Sequence, residues 1–524
     1  MIRPTFMGFE TAKRGIEVNQ KAIDIVANNL SNVDVAGYTR QRLDTASIAP
    51  SAYSTKVTSS RIGILGQGVE GLGVGQIRDS FLDKRFRDEY AKASYHSQAS
   101  TLLQDLQGAL GDGGDITDES VVFGAIAKLY RSLHDYAYEP TLDSQANIVL
   151  AAFRNFTQVL QQLDAKVRNV ADAQIFEASQ NVARVNEIAN EIAHYNYLIS
   201  RDATVMQDPN NEYFRPNELL DKRNLLLDEL ASYGNIDVTT LANGMVNVKF
   251  GGEFMVIEKE YETINLETHP DQTIGFVWTA TGKEIQFTAG SMKATADFMN
   301  GRGKNAQNTY ETSYEGIPYY KDRLNTLAKA FANLVNSTIP IRENPDIPGD
   351  NTYKTDANGD IQYKALVGAR QEDGSVLPNG EGLITAANIT ISKEWTNGGP
   401  GYFVFSKFEN IDNFALELAT GLTSGTHKFV SYGEIFQGTF EDYVAEYVTK
   451  LASEIKYQDG RFESTALMAD DFLDRRDEIS GVNRDEETAN MLIFQKSYNA
   501  AARLMTTLDE MVDVIINRMG IVGR

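Results

Sequence analysis

The N-terminus carries apolar side chains at a seven-residue period. One heptad position holds Phe9, Ile16, Ile23 and Leu30, and a second holds Ala12, Asn19, Val26 and Val33. This pattern predicts a helix with an a/d seam, in which Asn19 forms one polar layer that can set the register. Gly37 then provides a natural stop for the helix.

The C-terminus repeats the pattern more strictly. One heptad position holds Met491, Tyr498, Met505, Val512 and Met519, and the other holds Phe494, Ala501, Leu508, Ile515 and Val522. All of these residues are apolar, along a helix of roughly 48 Å. A single helix of this kind is marginal in water, so it needs a partner. That partner can be the other terminus, as in a helical hairpin, or an identical helix of a second copy.

The interior of the chain predicts further long helices. Residues 141–203 contain neither Gly nor Pro, so an unbroken helix there would span up to about 90 Å. Its apolar positions alternate by four and three residues: Val149, Phe153, Phe156, Leu160, Leu163, Val167 and Val170. Other helical patterns cover 80–110, 120–138, 318–337 and 440–477. Together they indicate an elongated helical rod.

Two internal segments change character, and in the first of them the period switches to two between Ile236 and Thr288. Val246, Val248 and Phe250 alternate after an Asn243-Gly244 hairpin signal, and the alternation returns at Ile274, Phe276 and Trp278. The second segment, 340–437, holds five of the twelve prolines and short apolar runs such as 403–405. Both segments are predicted to be β-rich.

The predicted fold class is multidomain α+β, with terminal coiled-coil helices and an elongated α-helical rod domain that carries two inserted β-rich domains. The boundaries follow from where the pattern changes. Residues 1–50 with 480–524 form the terminal coiled-coil domain. Residues 51–235 with 311–339 and 438–479 form the rod, and 236–310 and 340–437 are the two β-rich domains.

Composition excludes several classes of function. The 524 residues are 42% hydrophobic and 23% charged, which is ordinary for a folded protein. The net charge of −23 argues against nucleic-acid partners and against docking on anionic lipid. The chain has no cysteine, so disulfides and thiolate metal sites are impossible.

Membrane and targeting signals are not predicted either. No apolar stretch approaches the roughly 20 residues that a membrane-spanning helix needs, so no membrane insertion is expected. Glu17, Asn19, Lys21 and Asp24 interrupt any apolar core of a secretory signal. Without another export route, the chain would be expected to stay in the cytosol.

Candidate sites for chemistry are weak throughout. Gly66, Gly68 and Gly71 match a dinucleotide-binding pattern, but more glycines follow and no helix opens there, so a loop or short β-hairpin is favoured. Asp356, Asn358 and Asp360 resemble the start of a calcium loop, yet Ile361 and Val367 stand at its glycine and glutamate positions. A hairpin turn is favoured there over a weak calcium site. The five histidines show no metal-ligand spacing, so no catalytic residue, cofactor or metal site is predicted.

Each terminus also carries a short motif. The N-terminal motif runs from Ala27 to Asn32, with Asn28, Asn29 and Asn32, and continues in Gly37, Tyr38, Thr39, Arg40 and Gln41. The C-terminal motif is Ser480, Gly481, Val482 and Asn483. The two motifs resemble those of the axial proteins of the bacterial flagellum, the family of rod, hook and hook-associated subunits. Val35-Ala36 stands where this family usually has Thr-Pro, and Arg484 stands where Leu is more common.

Internal segments narrow the resemblance within the family. The chain looks more like hook-associated members than like hook or rod subunits in three segments. These are Tyr-Thr-Arg-Gln after Gly37, residues 217–226 and the helix 320–337. The resemblance covers about half the chain and does not reach 340–437.

The resemblance implies a non-enzymatic structural subunit at the junction between hook and filament. Its terminal heptad helices would pair with identical helices of neighbouring subunits in a ring-like homo-oligomer, with the β-rich domains facing outward. Implied partners are further copies of the chain, the hook protein, a second junction protein (hook-associated protein 3) and an export chaperone on the C-terminal helix. The implied location is extracellular, after export through the flagellar type III apparatus.

Two other functions remain open from the residues. The chain could be another axial protein, a hook or distal rod subunit. It could also be an exported adhesin or enzyme on an axial scaffold, with its activity in 340–437.

Overall fold

The computed structural model of the protein describes residues 5–48, 68–111, 121–138, 142–202, 216–304, 313–344, 352–378, 383–403 and 413–518. The helices are α1 (Thr5–Ser31), α2 (Ser80–Leu110), α3 (Val121–Tyr138), α4 (Asp143–Arg201), α5 (Asn217–Tyr233), α6 (Ser291–Asn300), α7 (Ile317–Asn336), α8 (Lys393–Gly398), α9 (Pro400–Phe403), α10 (Phe414–Leu422), α11 (Phe440–Ser480) and α12 (Arg484–Asp513), which continues as a π-helical turn, Val514–Arg518. The strands are β1 (Gln41–Ser47), β2 (Val69–Gln76), β3 (Ile236–Thr240), β4 (Val246–Phe250), β5 (Glu253–Ile257), β6 (Glu260–Tyr261), β7 (Ile264–Thr268), β8 (Ile274–Trp278), β9 (Val367–Arg370), β10 (Val376–Pro378), β11 (Ile389–Ile391), β12 (His427–Ser431) and β13 (Glu434–Gly438). This content confirms the predicted α+β class.

The long helices of the rod confirm the predicted periodicity. Helix α4 has 59 residues, or about 88 Å, and its predicted apolar stripe is buried from Val149 to Val167. Each fully buried side chain of this size contributes roughly 1.5–3 kcal/mol. Helix α11 opens with a capping box formed by Thr439 and Asp442, packs along α2, and ends three residues beyond the predicted boundary. None of the described helices is long and apolar enough to cross a membrane.

The first β segment packs against the rod. Strands β3–β4–β5–β6 form one antiparallel sheet, and β7–β8 pair separately. The predicted turn is present, because Gly244 has φ +79° between β3 and β4. Val246, Val248 and Phe250 face the core as predicted, whereas all five residues of β8 are buried. Strand β8 is therefore covered on both faces, which simple alternation does not predict.

Helix amides hold the strands of this segment in place. The buried Asn196 of α4 donates to the carbonyl oxygens of Val246 (2.8 Å) and Glu258 (2.6 Å). Its Oδ1 accepts from the N–H of Val246 (3.2 Å) and from Nη1 of Arg223 (3.0 Å). One amide thus satisfies backbone groups that would otherwise be buried without partners.

Replacing Asn196 by Leu should lower the free energy of unfolding by about 3 kcal/mol or more, because several buried polar groups would lose their partner. Asn190→Leu is the matched control, since Asn190 lies on the exposed face of the same helix. Urea unfolding followed by circular dichroism would measure both variants. Equal midpoints for the two would contradict the role of Asn196.

The second insertion contains short helices as well as strands. The β10–β9–β11 sheet and the β12–β13 hairpin are joined by α8, α9 and α10, which the sequence pattern did not predict. Trp395 of α8 is fully buried, with its ring 5.0 Å from that of Phe153 on α4. An isolated Trp in a Gly-rich stretch has no periodicity, so its anchoring role depends on the tertiary contact.

The sequence around Asp356 forms the predicted turn. The N–H groups of Asn358 and Asp360 both donate to Asp356 Oδ1, at 2.8 and 2.9 Å. These backbone hydrogen bonds lower the pKa of the Asp356 carboxyl below its usual value. Across the described ranges, no group of three or more side chains is arranged to hold a metal ion.

The glycine-rich segment leads into a β-hairpin. Gly68 has φ +96°, and Gly71, Gly73 and Gly75 lie within β2, which pairs antiparallel with β1. The prediction of a loop or hairpin is confirmed for these residues, whereas Gly66 lies outside the described ranges. The β1–β2 pair packs beside α1.

Candidate assembly interface

The terminal helices α1 and α12 pack against each other in an antiparallel pair. A Cβ added at Gly8 would lie 3.0 Å from Cδ1 of Leu508, and one added at Gly15 would lie 3.5 Å from Cβ of Ala501. At the other end of the pair, Asn29 contacts Glu487. Each seven-residue step forward along α1 is thus matched by a seven-residue step back along α12, as in a regular coiled coil.

Small residues form the contact side of α1. Gly8, Ala12, Gly15 and Ala22 recur along it, and Ala12 and Ala22 are buried. Their lack of bulk lets the larger side chains of α12 approach closely. Sequence reasoning missed Gly8, Gly15 and Ala22, although small residues at a seven-residue spacing were a readable signal. It listed Asn29 as a motif residue but did not predict its contact with α12.

The predicted seam residues of α1 divide into two groups. Val26 is buried in the contact, and Ala12 and Asn19 share its heptad position. Phe9, Ile16, Ile23 and Leu30 are only half-buried, because they lie one residue beyond the small residues and flank the pair. Val33 follows the end of the helix and is half-buried too. One of the two proposed heptad positions is therefore shifted by one residue from the closest contact.

Along α12 the predicted positions are less exposed than their neighbours. These residues are Met491, Phe494, Tyr498, Ala501, Met505, Leu508 and Val512. Ile515 lies beyond the paired region and is 47% exposed. Met519 and Val522 lie outside the described residues. Whether this seam takes part in assembly stays a prediction.

A second apolar stripe on α12 has no partner within the described part of the chain. Ile493, Leu504, Met511 and Val514 are 57%, 46%, 59% and 43% exposed. Leu504, Met511 and Val514 lie together on the side of the helix next to the seam, and Ile493 lies on the same side three turns earlier. Exposed apolar surface of this kind usually marks a protein–protein interface.

The N-terminal motif forms a polar cluster where the helix pair meets the rod. Asn29 is buried, with Nδ2 donating to Gln41 O (2.9 Å) and to Glu487 Oε2 (3.0 Å). Its Oδ1 accepts from the Tyr38 hydroxyl (2.9 Å) and from Gln41 N (3.0 Å). Asn28 donates to the same hydroxyl at 3.3 Å, and Asn32 donates to Asn28. Asn28 and Asn29 thus hold Tyr38 against the end of α1, where the chain folds back.

Arg40 bridges the two terminal motifs. Its Nε donates to Glu487 Oε1 and its Nη2 to Glu486 Oε1, both at 2.8 Å. Burial alone would lower the pKa of Arg40, but the bonds to these carboxylates raise it above its usual value. The Glu487 side chain is only 2% exposed, whereas that of Glu486 is 55% exposed. Glu487 is thus the buried centre of the bridge, and sequence reasoning did not single it out.

The same cluster reaches the rod through α5. The Thr39 N–H donates to Asp221 Oδ2 (3.2 Å), and Gln76 Nε2 donates to Asp221 Oδ1 (2.8 Å). Burial raises the pKa of Tyr38 to about 12, with Asp221 and Glu218 adding to the effect. Burial also raises the pKa of the Asp221 carboxyl, against the hydrogen bonds that it accepts.

The C-terminal motif turns the chain from α11 into α12. Ser480 O accepts from the N–H of Arg40 at 2.8 Å, and Gly481 N donates to Asp477 O at 2.8 Å. A Cβ at Gly481 would lie 2.4 Å from that carbonyl oxygen, so only glycine fits. Val482 is half-buried, and Asn483 caps α12 by accepting from the N–H groups of Asp485 and Glu486. Both motifs therefore meet at one joint.

The comparisons with known proteins agree with this arrangement. Residues 115–339 match the model of the flagellar hook-associated protein FlgK helical domain. Residues 9–39 match the flagella basal body rod protein model, and residues 474–519 match the flagellar basal body rod FlgEFG protein C-terminal model. The chain is 26% identical to flagellar hook-associated protein 1 of Bacillus subtilis (strain 168) over 529 residues, covering 99% of each chain. The chain is thus similar over nearly its full length to flagellar hook-associated protein 1.

Further proteins named flagellar hook-associated protein 1 are similar over nearly the whole length of this chain. The Salmonella typhimurium protein is 23% identical and the Escherichia coli (strain K12) protein 22%, each covering 97% of this chain and 98% of the relative. The solved structure of the flagellar hook junction protein FlgK from Burkholderia pseudomallei has a TM-score of 0.53 at 12% identity, covering 77% of this chain and 100% of that one. That likeness shows a shared fold.

Gly37 of the N-terminal motif packs against α5 of the rod. It has φ +77°, and an added Cβ would lie 2.5 Å from Cγ of Leu225 on α5. Both the backbone conformation and the contact require glycine. The motif glycine therefore fixes how closely the joint approaches α5.

Gly37→Ala should lower the free energy of unfolding by about 3 kcal/mol, from backbone strain and overpacking together. Gly374→Ala is the matched control, since Gly374 has the same φ of +77° with no neighbouring atom within 4 Å. The control should cost only about 1 kcal/mol. Adding Leu225→Ala should remove the difference between them in urea titrations. A Gly37 variant no less stable than the control would show that the contact does not constrain the joint.

Proposed function

We propose that this chain is a structural subunit of the bacterial flagellum that forms the junction between hook and filament. It assembles with other flagellar components by packing its terminal helices against those of neighbouring copies. The observation that carries this proposal is the unpartnered apolar stripe on α12, on a helix pair whose end bears the two axial-protein motifs.

The helix pair is suited to assembly rather than to standing alone. The small residues of α1 form the close contact with α12. Larger apolar side chains lie at the flanks of this contact. Phe9, Ile16 and Ile23 flank the pair on α1, and Leu504 and Met511 are exposed on α12. Burying each of the larger side chains against a neighbour would contribute up to about 1.5–3 kcal/mol. Several such contacts per copy can therefore hold a ring together without any catalytic chemistry.

The finer partners follow from the same proposal. Identical copies would cover the stripe laterally, the hook protein would contact one end of the ring, and a second junction protein would contact the other. Before assembly, an export chaperone would cover the apolar face of α12 during passage through the flagellar type III apparatus. The relatives' name supports the hook as a partner, and the exposed stripe supports contacts between copies.

The alternatives have less support. A hook or distal rod subunit is not favoured, because the relatives that match over nearly the full length carry the name hook-associated protein 1. An adhesin or enzyme in 340–437 is not favoured by any contact described above.

Deletion of the gene in its own host tests the junction role. Electron microscopy should show hooks without filaments, and flagellin should accumulate in the medium. Reintroducing the gene should restore filaments. Missing hooks would move the assignment to a hook or rod subunit, and normal filaments would refute any axial role.

A further inference from the structure

The rod contains a polar cleft of about 600 Å³, which we call the rod cleft. Its walls come from α2, α6, α11 and the residues that lead into α7. The described part of its lining includes three carboxylates, two lysines, three tyrosines and a histidine. The volume suits a small molecule, and the helix pairing proposed above uses none of these side chains.

The carboxylate of Asp297 in the rod cleft is fully used within the fold. Its Oδ1 lies 2.6 Å from Lys293 Nζ, and its Oδ2 accepts from the Tyr95 hydroxyl at 3.0 Å. Burial raises the pKa of Asp297, against the effect of these two bonds. Lys293 and Asp297 thus neutralise each other, and the pair adds no net charge to the cleft.

The second lysine of the rod cleft, Lys450, is fully used as well. Its Nζ lies 2.7 Å from Glu315 Oε1, and it donates to the Tyr319 hydroxyl (2.8 Å) and to Glu434 Oε1 (3.1 Å). An ammonium group has three N–H donors, so all three of Lys450 are taken. Lys450 is therefore held away from Glu454, which lies one turn further along α11.

Glu454 is left with an uncompensated negative charge. Its Oε1 accepts from Gln458 Nε2 at 2.8 Å, and it forms no ion pair among the residues that the structure describes. His96 fixes the orientation of Gln458, because its Nδ1 lies 2.7 Å from Gln458 Oε1, which can only accept. Burial lowers the pKa of His96 and so favours its neutral ring. Glu454 Oε2 and His96 Nε2 therefore remain as acceptors.

The hydroxyl group of Tyr314 is a second, independent feature of the rod cleft. It is buried, and it has no hydrogen-bond partner in the described part of the chain. Burial raises the pKa of Tyr314 well above its usual value, and nearby Tyr95, Glu454 and Asp297 add to the shift. The hydroxyl therefore stays protonated. A buried polar group that the fold leaves unsatisfied is costly, which favours a ligand as its partner.

These groups together select the chemistry of the ligand. An anion is disfavoured, because both lysines are already paired and Glu454 would repel it. A metal ion is not favoured either, since the described residues offer no group of three or more ligating side chains. An organic ammonium ion can donate to the Glu454 carboxylate and to the Tyr314 hydroxyl oxygen. The tyrosine rings that line the cleft favour the same charge, because the faces of aromatic rings attract cations.

We propose that the rod cleft binds a short-chain organic ammonium ion, whose N–H groups donate to Glu454 and to the Tyr314 hydroxyl oxygen. Bound there, the ion neutralises Glu454 and links α11 to the residues that lead into α7. It stabilises the rod, because it binds the folded chain and not the unfolded one. This inference does not depend on the junction role, since the rod cleft shares no lining residue with the joint or with α12.

Titration of the purified full-length chain with n-butylammonium chloride, followed by ligand-observed NMR, tests this site. Binding should saturate, and 1-butanol, which has the same length without the charge, should bind about tenfold more weakly. Glu454→Gln should weaken the binding of n-butylammonium about tenfold. The matched variant Glu463→Gln, at an exposed position of the same helix, should bind as the native chain does. Equal affinities for the ion and the alcohol, or for the two variants, would overturn the proposal.

Tyr314→Phe separates ligand binding from the stability of the free chain. Without the ion, the hydroxyl has no partner to lose, so the urea midpoint of the variant should not fall below that of the native chain. The affinity for n-butylammonium should nevertheless drop about fivefold. A lower urea midpoint in the absence of the ion would show that the hydroxyl is bonded within the fold. An unchanged affinity would show that the ion does not contact it, and either result contradicts the proposed site.

Discussion

Leu508→Asp should abolish filament attachment while the rod stays folded. Leu508 lies in the seam of α12 against Gly8, where an added Cβ would already be 3.0 Å away. A carboxylate at that position would have to lose water against α1, at a cost of about 3 kcal/mol or more. Because every copy in a ring repeats the defect, assembly should fail completely. Filament counts by electron microscopy would measure the loss.

Thr506→Asp is the control for this experiment. Thr506 is exposed on the same helix, two residues away, and receives the same charge without desolvation. Its filament count should equal that of the native chain. Circular dichroism of both purified variants should retain the native helical signal of the rod. Normal filaments with Leu508→Asp would show that the seam is not needed for assembly.

Glu487→Ala should release the terminal helices from the joint. The carboxylate of Glu487 is buried and accepts from both Arg40 and Asn29. Removing one partner of a buried pair typically costs about 3 kcal/mol, because the remaining charge is left without compensation. Hydrogen exchange should therefore accelerate in the last turns of α1 and the first turns of α12, with the protection of α4 unchanged.

Glu486→Ala separates the effect of burial from that of charge. Glu486 bonds to the same guanidinium at the same distance of 2.8 Å, but it is mostly exposed. Exposed pairs contribute at most about 1 kcal/mol, so exchange should change little. If both variants behaved alike, the buried position of Glu487 would have no special role in the joint.

The strong apolar periodicities were sufficient to predict most of the helices. The stripe from Val149 to Val167 gave a helix close to its predicted bounds, because a helix with one apolar face can bury that face in only one way. The predicted turn at Asn243-Gly244 was equally reliable, since a positive φ there requires glycine. Two residues of the predicted α12 seam, Ala501 and Leu508, lie against Gly15 and Gly8 of α1.

The sequence did not predict which face of α1 makes the close contact with α12. Apolar bulk favoured Phe9, Ile16 and Ile23 as the seam, but the close contact uses Gly8, Gly15 and Ala22. Hydrophobicity alone cannot rank these sets, because the preferred contact depends on how near the partner backbone can come. The same limit applies to Glu487, which the sequence presents as one acid in a run of three.

By itself, then, the sequence determined the long helices, the family motifs and the absence of cysteine chemistry, because these depend on local pattern and residue type. Only the tertiary structure decided that both motifs meet at one joint, that Asn29 and Glu487 are its buried centre, and that α12 keeps a second apolar face uncovered. The contact between Asn29 and Glu487 spans 458 positions, and the contact between Arg40 and Glu487 spans 447. Such contacts arise from the packing of whole helices, which no local window of the chain encodes.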